Sequence, residues 1–247
     1  MPMSMIFGLK LLINGIYTML QIHPLGYIKS CFKEKFAIPR QPLLAPAATA
    51  SLELLAPYNR TEALIGLERV SHIWLLFIFH KALEAKPRLK VRPPRLGGNK
   101  SLGVFATRST HRPNAIGQSV VKLDAIVDNK LYLSGVDLVN GTPIIDIKPY
   151  VPYADSVSQA YNDIAPAPPR TIKVQWDVNA LLQAQQHQQR LQKPLIALIE
   201  QCLAQDPRPA YQQFDPNRQY GTKLWDIEVI WHYLNDDTCH VLIISNK

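Results

Sequence analysis

Between residues 23 and 150 the chain is a succession of short apolar runs, HPLGYIKS, SLELLAPY, HIWLLFIF, LGVFAT, SVVKLDAIV, KLYLSGVDL and PIIDIKPY, punctuated by Gly, Pro, Asn and Asp. Their aliphatic, β-branched and aromatic residues and turn-bounded lengths are those of β-strands. No long helical pattern separates consecutive runs. Parallel strands need a long crossover, usually a helix, so the pattern predicts an antiparallel sheet or barrel and argues against a doubly wound α/β fold. Asp128, Asn129 and Lys130 stand where a hairpin turn is required. A short helix is expected over 61–69, with Thr61 capping its first turn and Glu62 complementing its dipole.

Past Tyr153 the pattern changes. Pro166, Pro168 and Pro169 fall within four residues and stiffen the chain into an extended form, so residues 158–170 read as a linker. Residues 171–247 then supply a strand (TIKVQW), two helices (VNALLQAQQHQQRLQ and PLIALIEQCLAQ), the loop DPRPAY and two closing strands (KLWDIEVIWHYL and HVLIIS). The expected fold is mainly β: an antiparallel β-barrel over 19–157 and a smaller α+β domain after the linker. Residues 1–18 are apolar, but Lys10, Asn14, Gly8 and Gly15 interrupt them well short of the roughly 20 residues that span a bilayer. No small-residue cleavage site follows, so they read as an extension ahead of the fold, with Met19 a natural start and no membrane role.

Charge narrows the partner. The chain carries a net charge of +8 and a pI near 9.4. From Lys81 to Lys122 ten basic residues face one acid, Glu84, a net of +9 that exceeds the whole chain's +8. Interleaved with Pro and Gly in VRPPRLGGNK, they suit a loop that grips phosphates, with nucleic acid the first partner expected. Cys31, Cys202 and Cys239 are odd in number and widely spaced, which argues against a disulfide framework or a zinc site and fits a reducing cytoplasm. No metal site is expected. The chain lacks G-x-G-x-x-G between a strand and a helix, G-x-x-x-x-G-K-[ST], H-E-x-x-H and G-x-S-x-G, so the common nucleotide, zincin and hydrolase chemistries lose their signatures.

Six blocks in collinear order, EKFAIPRQP, LIGLERVSHIWLLFIFH, VRPPRLGGN, GVFATRSTHRPNAIGQS, DLVNGTPIIDIKPYVPYAD and AQDPRPAY, resemble the TsaA-like family over about residues 20–245. Bacterial members methylate N6 of threonylcarbamoyladenosine at tRNA position 37. The resemblance implies S-adenosyl-L-methionine as cofactor, a β-barrel unlike Rossmann methyltransferases, a homodimer, and tRNA carrying the modified base as substrate. Carried over by motif, the cofactor contacts fall on Arg40, Gln41, Pro42, His80, Lys81, Arg108, Ile116, Asp137, Leu138, Val139, Asn140, Gly141 and Thr142. Two positions depart from the family: Ala115 stands where a second proline is usual, expected to loosen a turn, and Asn140 replaces an acid. Asn140 matters if that carboxylate does chemistry.

Methyl transfer from a sulfonium to nitrogen is an in-line displacement, for which holding the reactants aligned supplies roughly 7–11 kcal/mol without a covalent intermediate. The candidates for moving the proton are Asp137, Asp146 and His72. Each has a duller reading: Asp137 as a turn cap, Asp146 as an exposed strand residue or ion-pair partner, and His72 as a structural histidine. Arg92, Arg95, Arg112, Asp206 and Arg208 are the candidates for RNA contact, Arg112 equally suited to shaping its own loop and the last two to domain docking. Gly103 and Gly117 are expected to give the chain room between strands. The alternative to an enzyme is a non-catalytic RNA-binding or S-adenosylmethionine-sensing barrel. The basic segment has Phe105 as its only aromatic besides His111, too few for a stacking platform.

Overall fold

The computed structural model describes residues 7–13, 16–84, 86, 88–93, 100–209 and 211–246. It opens on a hairpin of β1 (Phe7–Ile13) and β2 (Ile16–Ile22), in which Ile13 pairs with Ile16. This two-stranded sheet is separate from the barrel and holds most of the segment expected to lie ahead of the fold.

Six strands then close a barrel: β3 (Gly26–Ser30), β4 (Thr49–Leu54), β5 (His72–Ile78), and, after a two-residue pair β6 (Lys90–Val91) and β7 (Leu102–Gly103), β8 (Ile116–Val127), β9 (Lys130–Ser134) and β10 (Pro143–Pro149). All neighbours are antiparallel, and β10 closes the ring by pairing with both β3 and β5. Alternation decides what goes inside. Ile28, Leu52, Ile73, Leu75, Phe77, Val121, Leu131, Leu133 and Ile144 form the barrel core, each under one-tenth exposed. Asp128 and Asn129 both take positive φ, 49° and 58°, the conformation a two-residue hairpin turn demands.

Two expectations fail locally. The helix over 61–69 is two 3₁₀ turns, Thr61–Ala63 and Leu67–Arg69, because Gly66 takes φ 87° between them. Thr61 donates its hydroxyl to Asn129 Oδ1 instead of capping. The LGVFAT strand stops at Gly103 and becomes a 3₁₀ turn over Val104–Ala106.

After a short helix α1 (Pro152–Asp155) and an exposed connection, a second sheet forms from β11 (Lys173–Trp176), β12 (Gln219–Leu224), β13 (Ile227–Asn235) and β14 (Thr238–Asn246) in the order β11-β14-β13-β12. The run KLWDIEVIWHYL is therefore two strands and not one. Trp225 at φ 53° turns the chain between them. Helices α2 (Val178–Leu191) and α3 (Leu195–Ala204) cover the sheet, burying Ala180, Ala184, Leu195, Leu198, Ile199 and Leu203. Asp177 caps α2 by accepting from the amides of Asn179 and Ala180.

The second sheet packs directly on the barrel's 31–47 segment. Phe36 stacks on Trp231 at 5.8 Å and on Tyr220 at 6.5 Å, and its carbonyl accepts from the Thr222 hydroxyl. Phe32 bridges to Leu224, and the Trp225 amide donates to the Cys31 carbonyl at 2.7 Å. Among the described residues no helix is long and apolar enough to cross a membrane.

Candidate active site

One end of the barrel gathers most of the residues singled out by the motifs. The segment Asp137–Thr142 crosses this end between β9 and β10, and β3 fixes it. Ser30 donates its hydroxyl to the Leu138 carbonyl (2.6 Å) and its amide to Asn140 Oδ1 (3.2 Å). The Asn140 and Gly141 amides donate to the carbonyls of Phe32 and Ile28, both at 2.8 Å, and Thr142 donates its hydroxyl to the Val139 carbonyl. Gly141 takes φ 83°, which a side chain would strain. The Asn140 amide oxygen thus holds the end of β3, a bond an aspartate would make equally well.

Asp137 is left over from this lacing. Its Oδ1 is shut off from solvent and has no hydrogen-bond partner. Burial pushes the carboxyl up from 3.8 to about 6, against the opposing pull of the Ser119 hydroxyl and the Arg108 charge. Ser119 points into the barrel from β8 and is 2% exposed. Motif matching did not single it out, although a small polar residue at an inward position of an alternating strand was a readable signal.

Arg108 bonds Gln41 Oε1 at 2.5 Å, which joins the loop after β7 to the Arg40–Pro42 segment. The Arg108 loop is laced from within: Arg112 donates to the carbonyls of Thr107 (2.7 Å) and Val104 (3.4 Å), and Thr107 donates its hydroxyl to Val104. Arg112 therefore shapes the loop through one guanidinium nitrogen. Ala115 takes φ 51° with its side chain buried, a conformation that proline's fixed φ forbids.

Arg40 is half-buried, which lowers its guanidinium pKa, and its Nε is closed off from solvent with no partner. The mouth thus holds an orphaned donor on Arg40 and an orphaned acceptor on Asp137. They fit a ligand with both an acidic and a cationic or hydroxyl end, as the amino-acid portion and sulfonium or ribose of S-adenosylmethionine present. His80, just beyond β5, is held below its ordinary value by burial and then by the Lys81 and Lys35 charges. Lys81 donates to the Lys33 carbonyl at 3.1 Å and Lys35 to the Lys81 carbonyl at 2.9 Å, so Lys35, which the motifs did not assign to the cofactor, braces this corner with its side chain and Lys33 with its carbonyl. Ile116, at the start of β8, pairs with Ile78 beside them.

Several candidates lie elsewhere. His72 is at the opposite end of β5, six residues or about 20 Å from Ile78, with its ring on the Ser71 hydroxyl. Asp146 pairs with Lys148 at 3.0 Å and accepts from the Ile147 amide on the exposed barrel wall. Neither reaches the mouth. Asp206 and Arg208 are bound to each other through two 2.9 Å bonds; Asp206 also accepts from the Tyr233 hydroxyl, and Arg208 lies 3.7 Å over the Tyr233 ring. These contacts lie within the second domain, which meets Arg40 through the Asp206 carbonyl, and with Arg208 7% exposed its guanidinium is not offered to RNA. Arg92 is exposed, and Arg95 lies outside the described residues. Among the described residues no cluster could hold a metal ion.

The chain matches two family models, the tRNA-methyltransferase O N-terminal domain over residues 27–156 and the TrmO C-terminal domain over 169–247. It is 65% identical over 224 residues to the Pseudomonas aeruginosa protein RcsF, covering 91% of this chain and 97% of that one. It is 46% identical over 219 residues to the tRNA (adenine(37)-N6)-methyltransferase of Escherichia coli strain K12, covering 85% and 92%. A crystal structure of TrmO from Pseudomonas aeruginosa superimposes with a TM-score of 0.81 at 54% identity, covering 93% of this chain and 98% of the other.

Proposed function

Because the chain belongs to the tRNA-methyltransferase O family, we propose that it methylates N6 of threonylcarbamoyladenosine at position 37 of tRNA. RcsF bears the name of an S-adenosylmethionine-dependent methyltransferase, and the same cofactor is assigned to this chain. When bound, it supplies an electrophilic methyl group on a sulfonium. Arg40, Gln41, Pro42, Arg108, Ile116, the Asp137–Thr142 segment and the His80–Lys81 corner hold it.

The observation that carries the reading is the orphaned Asp137 Oδ1 beside Ser119 and Arg108 at the barrel mouth. With a carboxyl near 6, Asp137 is ionised at neutral pH yet basic enough to take a proton. It accepts the N6 proton, directly or through one water, as nitrogen bonds the methyl carbon. The threonylcarbamoyl group makes that proton more acidic than in plain adenosine, so a carboxylate suffices. Arg92, Lys33, Lys35 and Lys81 are exposed and offer cations for RNA phosphates.

The protein acts as a homodimer in this reading. Phe105 and Ile116, 77% and 38% exposed, are apolar surface beside Arg108 that a second copy would cover. The three thiols are unbridged and buried, which fits a cytoplasmic protein.

The test is transfer of isotope-labelled methyl from S-adenosylmethionine to tRNA with or without the threonylcarbamoyl group. Label enters only the modified tRNA. Cofactor binding by calorimetry without any transfer would instead make the protein a sensor or RNA-binding barrel.

A further inference from the structure

The Arg40–Pro42 segment does not belong to a barrel strand, and the second domain determines where it lies. The Arg40 amide donates to Gln205 Oε1 at 3.1 Å, and Arg40 Nη2 donates to the Asp206 carbonyl at 3.1 Å. Gln205 is itself fixed at both ends of its amide. Its Nε2 donates to the carbonyls of Gln201 (3.0 Å) and Leu44 (3.4 Å), and the residue is 5% exposed. Asp206 takes φ 46°, a conformation aspartate tolerates better than most residues, and Arg208 and Tyr233 lock its side chain. One turn back on α3, Gln201 Oε1 accepts from the Ala47 amide at 2.8 Å. The C-terminal end of α3 therefore grips the 40–47 segment at both ends. Next along that segment is Gln41, which holds Arg108, whose charge acts on Asp137.

We propose that Gln205 and Asp206 are positioning residues of the methyl-transfer site: they set Arg40 and Gln41 in the geometry that receives the cofactor, so docking of the second domain tunes cofactor affinity. The inference rests on the reading above that Arg40, Gln41 and Arg108 hold S-adenosylmethionine. The second domain is thus a built part of the cofactor site, in addition to any contact it makes with RNA.

Gln205→Leu removes both hydrogen-bonding ends at nearly constant volume. Loss of the bond to the Arg40 amide should raise the Kd for S-adenosylmethionine roughly tenfold by calorimetry. The rate at saturating cofactor and the KM for tRNA stay within about twofold of the parent, since no group that touches RNA has changed. Should the leucine variant not fold, Gln205→Asn, which withdraws the amide by one methylene, gives the same split. A raised KM for tRNA with unchanged cofactor affinity, or cofactor affinity within about twofold of the parent in the folded leucine variant, overturns the proposal. If the parent chain binds no S-adenosylmethionine, the failure lies in the underlying reading.

Discussion

Asp137 is the residue on which chemistry and stability pull in opposite directions. Its carboxyl lies near 6 in the fold against 3.8 ordinarily, so the folded state binds the proton more tightly than the unfolded chain does. Ionisation then costs the fold nothing below about pH 4, progressively more up to about pH 6, and a constant amount above that. Two units correspond to about 3 kcal/mol at most. Asp137→Asn should melt higher than the parent at pH 7.5, with the gap closing toward pH 4, while methyl transfer is lost. Equal melting temperatures at both pH values would mean that the carboxylate is solvated and at its ordinary value. The motif pointed to Asp137 but left it between turn cap and reactive group. Asp146 and His72 looked comparable because a sequence gives the alternation of a strand but not which barrel end a residue reaches.

At the scale of elements, glycine shows what strand patterning cannot convey. Gly103 and Gly117 looked alike as hinges, yet a Cβ on Gly103 meets nothing within 4 Å, whereas one on Gly117 would lie 2.3 Å from Phe77 Cε2 and 2.8 Å from Phe79 Cζ. Those rings sit edge to face at 5.1 Å, with Phe77 4% exposed, so they have little room to retreat. Gly117→Ala should cost about 1–3 kcal/mol in denaturant unfolding and Gly103→Ala within about 0.5 kcal/mol. Similar costs for the two would show that the rings repack freely. The barrel strands were legible because inward residues alternate with outward ones. The 61–69 helix was not, since Gly66 at φ 87° splits a helical-looking segment into two 3₁₀ turns. Trp225 at φ 53° likewise hides a tight turn inside an apolar run, where nothing but the Trp-Asp pair marks it.

For the molecule as a whole, the barrel supplies a rigid rim and the second domain presses the 31–47 segment onto it. Charge composition pointed to RNA but left Arg112, Asp206 and Arg208 between RNA contact and a structural role. Arg112, Asp206 and Arg208 neutralise carbonyls or one another inside the protein, which only tertiary contacts reveal. Among the described residues, the exposed cations around the mouth include Lys33, Lys35, Lys81 and Arg108, drawn from segments far apart in sequence. In the proposed reaction this mouth aligns a sulfonium methyl with N6 of a modified adenosine, and Asp137 removes the proton. Single-turnover methyl transfer at saturating cofactor, followed by mass analysis of the tRNA nucleosides from pH 5 to 8, tests it most directly. One methyl is expected on threonylcarbamoyladenosine, at a rate that rises with pH and levels off above about pH 6, with no product from Asp137→Asn. Methylation of unmodified adenosine at a comparable rate, or an unchanged pH profile in Asp137→Asn, would contradict it.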